Sequence, residues 1–185
     1  MFNRLFLFIS LLIGEVLVSG CHHDSNVYRW EDNEVDYTIT LQTENDSLHN
    51  LCLHTSLPSD DRWELPYPVY RFSCGDLTGN GMPEIAVGVI KATRYFPTPD
   101  KRLFIYQVTD GKYIRPFWLG SRVGQPLDDF RIVDNEVPAV IRTIEKERDG
   151  RFLVAEYRVK SFGLRFVRYL CRSVSHEEAI RLLEN

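Results

Sequence analysis

The chain of 185 residues is 44% hydrophobic and 26% charged, a balance that excludes both a disordered chain and a protein of many membrane spans. With 22 Lys and Arg against 26 Asp and Glu, the net charge is -4. There is no basic excess to meet a phosphate backbone, so nucleic acid is not an expected partner. Its 4 cysteines, Cys21, Cys52, Cys74 and Cys171, are too scattered for a disulfide scaffold and form no Cys-x-x-Cys pair.

The amino terminus reads as an address. Arg4 gives a positive start, and Leu5 to Ile13 is an apolar run too short for a bilayer span, which needs about 20 residues. Residues 1–20 are therefore expected to be a signal peptide, although the Glu15 carboxylate opposes insertion. The run closes on Leu17-Val18-Ser19-Gly20-Cys21, which resembles the lipobox of bacterial lipoproteins. That resemblance implies cleavage before Cys21, lipidation of its thiol, and a membrane partner reached through the lipid anchor. It also implies a place in the bacterial cell envelope, at the outer membrane or cell surface. Residues 21–28, beginning Cys21-His22-His23-Asp24-Ser25-Asn26, are expected to be a lipidated tether, and 29–185 one β-rich domain.

Within the domain, Tyr37 to Leu41 alternates like a half-buried strand and Leu51 to His54 is a short apolar run. From Pro66 onward, prolines recur too often for helices of ordinary length. Strands are predicted at Glu84–Lys91, Arg102–Val108, Tyr113–Leu119, Phe130–Val133, Ala139–Glu145, Phe152–Lys160 and Leu164–Arg172. Only the end is predicted helical. Ser175-His176-Glu177-Glu178 has capping-box spacing, and Ala179, Ile180, Leu182 and Leu183 form an apolar stripe.

Two segments echo one another. Met82-Pro83-Glu84-Ile85-Ala86-Val87 matches Val137-Pro138-Ala139-Val140-Ile141-Arg142, and Leu103 to Val108 matches Val154 to Val159. The second match aligns Phe104, Tyr106 and Val108 with Ala155, Tyr157 and Val159, which keeps one strand face in phase. Repeats over about 72–125 and 128–172 have the size of a propeller blade. The 165 residues from 21 to 185 are too few to close a ring. The expected fold is thus all-β and mainly antiparallel: two or three compact blade-like sheets resembling an incomplete β-propeller, with a short C-terminal helix.

The loop Gly75-Asp76-Leu77-Thr78-Gly79-Asn80-Gly81-Met82-Pro83-Glu84 carries oxygen at alternate positions, as a hard cation requires. Asp76, Thr78, Asn80 and Glu84 would ligate calcium through side chains and Met82 through its carbonyl. Gly-Asp, Asn-Gly, an acidic residue and then an apolar strand resemble the calcium loops of FG-GAP and VCBS-type repeats. Where those families usually carry Asp, this chain has Thr78 and Asn80, so weak binding is expected. A turn satisfied by its own side chains is the competing reading.

No serine, cysteine or histidine sits in a diagnostic catalytic motif. Glycine flanks Ser121 without the nucleophile-elbow spacing, and the enzymatic alternative is a small envelope hydrolase pairing His49, His54 or His176 with a carboxylate. Cys52, Cys74 and Cys171 allow one disulfide or three free thiols. Residues 22–66 carry ten acidic and two basic residues, whereas 142–172 carry nine basic and four acidic. Trp30, Trp63, Tyr67, Tyr70, Tyr95, Phe96 and Trp118 are candidates for a stacking platform, with Tyr95, Phe96 and Trp118 the expected binding residues. The preferred reading is a binding domain for a protein or glycan, not an enzyme.

Overall fold

The computed structural model describes residues 26–120, 122–161 and 163–185. The expected signal peptide, the lipobox-like stretch with Cys21 and most of the expected tether lie outside the described residues. The first strand takes in Val27 and Tyr28, which the sequence reading assigned to the tether.

Three four-stranded antiparallel sheets follow one another along the chain, each an up-and-down meander. Sheet 1 holds β1 (Val27–Asp32), β2 (Val35–Asn45), β3 (Leu48–Thr55) and β4 (Asp61–Leu65). Sheet 2 holds β5 (Val69–Gly75), β6 (Glu84–Lys91), β7 (Asp100–Thr109) and β8 (Tyr113–Leu119). Sheet 3 holds β9 (Leu127–Val133), β10 (Val140–Lys146), β11 (Phe152–Lys160) and β12 (Gly163–Val174), and α1 (His176–Glu184) ends the chain. The fold is all-β apart from that helix, and its sheets stack like propeller blades without closing a ring.

Stacking explains the sequence pattern. Sheet 2 is covered on both faces, so β6 reads as a nearly continuous apolar run, Glu84-Ile85-Ala86-Val87-Gly88-Val89, instead of alternating. Ile39, Leu41, Leu51 and Leu53 of sheet 1 meet Val87, Val89, Phe104 and Tyr106 of sheet 2. On the other side Ala86, Leu103 and Ile105 meet Phe130, Ile132 and Ile141 of sheet 3. The two echoing segments fall on the second and third strands of sheets 2 and 3, and Phe104 and Tyr106 face the preceding sheet as Ala155, Tyr157 and Val159 do.

An unclosed stack must cover its two end faces. On sheet 1 the outward face is polar: Asn50 Nδ2 donates to Glu44 Oε1 at 2.9 Å, Arg62 Nε donates to Asn50 Oδ1 at 2.8 Å, and Arg62 pairs with Glu44. On sheet 3, α1 lays Ala179 and Leu183 against Ile144, Val154 and Val174, while Ile180, predicted in the buried stripe, stays exposed. Ser175 caps the helix by accepting from the Glu178 amide at 3.2 Å. Arg142 and Arg131 of sheet 3 donate to the carbonyls of Leu182 and Glu184 at 2.8 and 2.5 Å, satisfying acceptors that a helix end leaves open.

The strands missing from the prediction are β1, β4 and β5. The first two are short and charged, and β5 starts directly after Pro66 and Pro68. Cys52, Cys74 and Cys171 are all free thiols. Burial pushes the Cys74 thiol well above its ordinary range.

Candidate functional site

Of the aromatic residues singled out in the sequence, Trp30, Trp63 and Tyr67 pack on the core between sheets 1 and 2, and Tyr70 on the core between sheets 2 and 3. Trp118 packs on that second core too. Near the end of outer strand β8, its ring closes on Gly120, where a Cβ would stand 2.0 Å from the indole; only glycine permits that approach. Beyond it, Val123 packs against Leu153, Ala155 and Tyr157 of sheet 3.

Between these parts opens a shallow cleft of about 380 Å³ lined by Trp118, Arg122, Val123, Tyr157, Phe166 and Tyr169. Phe166 and Tyr169, 43% and 47% exposed, stand on β12, the outer edge strand of sheet 3. Their rings are 4.6 Å apart, Tyr157 meets Phe166 edge-on at 5.9 Å, and the Arg172 guanidinium lies 5.0 Å from the Tyr169 ring. Tyr157 is fixed from below: its hydroxyl donates to Glu145 Oε1 at 2.7 Å and accepts from the Gly124 amide at 3.1 Å. Burial, then the neighbouring Glu145, raises the Tyr157 phenol far above its usual range, so it remains protonated. Thr143 Oγ1 donates to Glu145 at 2.8 Å and the Gln125 amide donates to it as well, leaving this carboxylate fully engaged.

Phe96 belongs to the same neighbourhood. The guanidinium carbons of Arg102 and Arg122 lie 5.4 and 5.8 Å from its ring centroid, and Arg122 also lines the cleft. Tyr95, 77% exposed on the adjoining loop, makes no ring contact among the described residues. Of the three predicted binding residues, two therefore lie around Arg122 and one stands apart. Tyr157, Phe166 and Tyr169 were missed. The signal for Phe166 and Tyr169 is the stretch Arg165-Phe166-Val167-Arg168-Tyr169, which mixes charge and aromatics without alternation, as an outer edge strand with two wet faces does.

The glycine-rich loop joins β5 to β6, at the opposite end of β6 from the loop carrying Tyr95 and Phe96. Asp76 Oδ1 accepts from the amides of Gly79 and Asn80 at 2.6 and 3.1 Å, and Oδ2 from Gly81 at 2.8 Å. Asn80 Oδ1 accepts from the Met82 amide at 2.8 Å. Glu84, 2% exposed, accepts from the amides of Leu77 and Thr78 at 2.8 and 3.1 Å and from Thr78 Oγ1 at 3.2 Å. Gly79 and Gly81 take positive φ, 78° and 85°. Asp76, Thr78, Asn80, Met82 and Glu84 thus form one loop closed by its own amides, with a second lone pair left on Asp76 Oδ2 and on Glu84 Oε1. Among the described residues no group of three or more His, Cys, Asp or Glu is arranged to hold a metal ion. Burial raises Glu84 from 4.5 to about 7, outweighing the Leu77 and Thr78 hydrogen bonds.

The three histidines considered for hydrolysis are dispersed. His54 Nδ1 lies 3.2 Å from Asp60 with both side chains open to solvent. His49 is buried between sheets 1 and 2, and its Nδ1 has no partner among the described residues. His176 Nε2 lies 2.7 Å from Asp128 Oδ2, but that carboxylate also meets Lys146 at 3.2 Å and Lys101 at 3.5 Å, and the group ties the start of α1 to sheets 2 and 3. Burial opposes the Asp128 charge; the hydrogen bond from His176 and the two lysines outweigh it and hold the carboxyl below its usual range. Ser121 lies outside the described residues. No helix among the described residues is long and apolar enough to cross a membrane.

No family model, curated protein or solved structure matches the chain.

Proposed function

We propose that the protein is a lipid-anchored module of the bacterial cell envelope that binds a partner protein or glycan in the cleft between β8 and β12. The observation that carries this reading is the cleft itself: Trp118, Tyr157, Phe166 and Tyr169 around a shallow opening, with Tyr157 locked by Glu145 and Gly124 and no histidine in the lining. Phe166 and Tyr169, about half exposed beside the fixed Tyr157, suit recognition, because aromatic rings bury area with little loss of side-chain freedom. Leu17-Val18-Ser19-Gly20-Cys21 supports the anchor. The β5–β6 loop is proposed as a weak calcium site, in which a cation would neutralise the buried Glu84 and Asp76.

Three measurements test these parts. Phe166→Ser with Tyr169→Ser changes only exposed side chains, so it should leave folding intact and abolish retention on separated envelope polysaccharide and protein fractions; unchanged retention refutes the cleft. Metabolic labelling with a clickable fatty acid should mark the wild type and not Cys21→Ala, and label kept on the variant refutes the anchor. Millimolar calcium should raise the melting temperature above that in chelator, and coincident melts refute the loop site.

A further inference from the structure

Strand parity decides which loops share an end of the stack. A four-stranded meander enters and leaves its sheet at the same end, so the start of β1, the β4–β5 and β8–β9 connections and the β2–β3, β6–β7 and β10–β11 loops belong to one end. Contacts hold the three sheets in step there: Asn26 lines a hollow with Thr43, His49 and Val69, and Lys101 at the start of β7 and Lys146 at the end of β10 meet at Asp128 of β9. At the far end the Ile114 amide donates to Asp61 Oδ2 at 2.7 Å, and the Ala139 amide donates to the Asp76 carbonyl at 2.8 Å.

The two ends differ in chemistry. Connections at the near end carry Arg94, Arg122, Arg148 and Arg151 against Asp46, Glu147 and Asp149, and Glu147 is already paired with Arg172. Those at the far end carry Glu34, Asp60, Asp76, Asp110, Asp134 and Glu136 against Lys112. On the β6–β7 loop at the near end, Tyr95 is 77% and Phe96 37% exposed beside the exposed Arg94, and Pro97 and Pro99 keep the loop out of any ladder. Leu57 and Val137, exposed at the far end, stand on loops that carry Asp60, Asp134 and Glu136.

We propose that the near end is a membrane-contact face, with Tyr95 and Phe96 seated in the interfacial layer of the anchoring bilayer and Arg94, Arg148 and Arg151 at its phosphates. This rests on lipidation of Cys21. From that residue to Asn26 the chain spans at most about 17 Å, so the end at which β1 starts is held close to the headgroups. Aromatic rings and arginine side chains favour that layer, and the carboxylates of the far end are repelled from an anionic surface. The β5–β6 loop then points away from the membrane.

The test uses the full-length lipidated protein in vesicles of mixed phosphatidylcholine and phosphatidylglycerol with brominated acyl chains, which quench tryptophan at membrane depth. Tyr95→Trp and Val137→Trp add one indole at each end, at positions that are both 77% exposed, so the fold is kept. Relative to the wild type, the indole of Tyr95→Trp should lose emission and that of Val137→Trp should not. Adding Arg94→Gln to Tyr95→Trp should lower the docked-to-free ratio about fivefold, the scale of one cation at an anionic surface, and Arg94→Lys should restore it. No loss for Tyr95→Trp in protein that floats with the vesicles overturns the contact face and leaves the anchor standing, as does an equal loss at both ends. Protein that takes up no fatty-acid label and does not float overturns the anchor and this proposal with it. Emission from Tyr95→Trp that responds to added envelope protein and not to brominated lipid identifies a protein partner and overturns the proposal.

Discussion

Glu84 makes folding stability depend on pH in an unusual direction. Its carboxyl is 2% exposed at the start of β6, accepts two amide hydrogen bonds and one hydroxyl, and has no bonded cation among the described residues. Burial raises its folded pKa to about 7 from 4.5. The folded state therefore holds a proton that the unfolded chain has released, and the stability this contributes is full below pH 4.5 and lost as pH rises through 7. The slope is about 1.4 kcal/mol per pH unit, which amounts to roughly 3 kcal/mol across the window. Glu84→Gln keeps an acceptor for the Leu77 and Thr78 amides and removes the charge. Urea unfolding of both proteins from pH 4.5 to 8, in chelator so that no cation competes with the proton, isolates the effect, because every other titrating group is common to the pair. The wild type should match or exceed the variant near pH 4.5 and fall progressively below it towards pH 8. A stability difference that stays constant over that range would refute the reasoning, since it would mean that Glu84 is ionised alike in both states.

Three further perturbations address the frame around the site. Gly120→Ala puts a methyl group 2.0 Å from the Trp118 ring; it should cost about 1–3 kcal/mol, the range for overpacking, and displace the indole, read as a changed near-ultraviolet dichroism band. Leu183→Ala removes the main contact of α1 with sheet 3 and should cost about 2–4 kcal/mol in urea unfolding; a loss under 1 kcal/mol would show that the helix does not seal that face. Asp128→Asn releases His176, Lys101 and Lys146 from one carboxylate. Because the folded pKa of Asp128 is depressed, its contribution is present above an unfolded value near 3.8 and lost as pH falls through the lower folded value. The variant should therefore be destabilised at pH 7 and approach the wild type near pH 2, and an equal deficit at both pH values would contradict the ion-pair assignment.

The strands most legible in the sequence lie in the middle and at the end of the chain. Glu84–Lys91, Tyr113–Leu119 and Phe152–Lys160 were predicted to the residue, because apolar runs bounded by proline and glycine leave little choice. The β1 strand, Val27-Tyr28-Arg29-Trp30-Glu31-Asp32, gave no such signal. It forms because β2 offers a partner through register pairs such as Trp30 with Tyr37, whose rings stack 4.9 Å apart. At the site, Trp118 and Phe96 were singled out from the sequence, while Tyr157 read as an inward-facing strand residue. No local pattern marks which aromatic side chains converge, since that depends on what the neighbouring strands place around them.

The sequence by itself determined that the chain is a series of antiparallel strands with one capped helix at its end, because alternation, proline spacing and Ser175 are local properties. It also carried the glycine-rich loop with its oxygen-bearing side chains in order. Tertiary structure decided which side chains meet. Stacking sheet 3 on sheet 2 brings Trp118 of β8 beside Phe166 and Tyr169 of β12, some fifty residues later in the chain, and sets Arg102 and Arg122 on one aromatic ring. Covering the ends with a polar face and a helix is likewise a property of the whole stack: no sheet can bury its apolar faces until its neighbours exist.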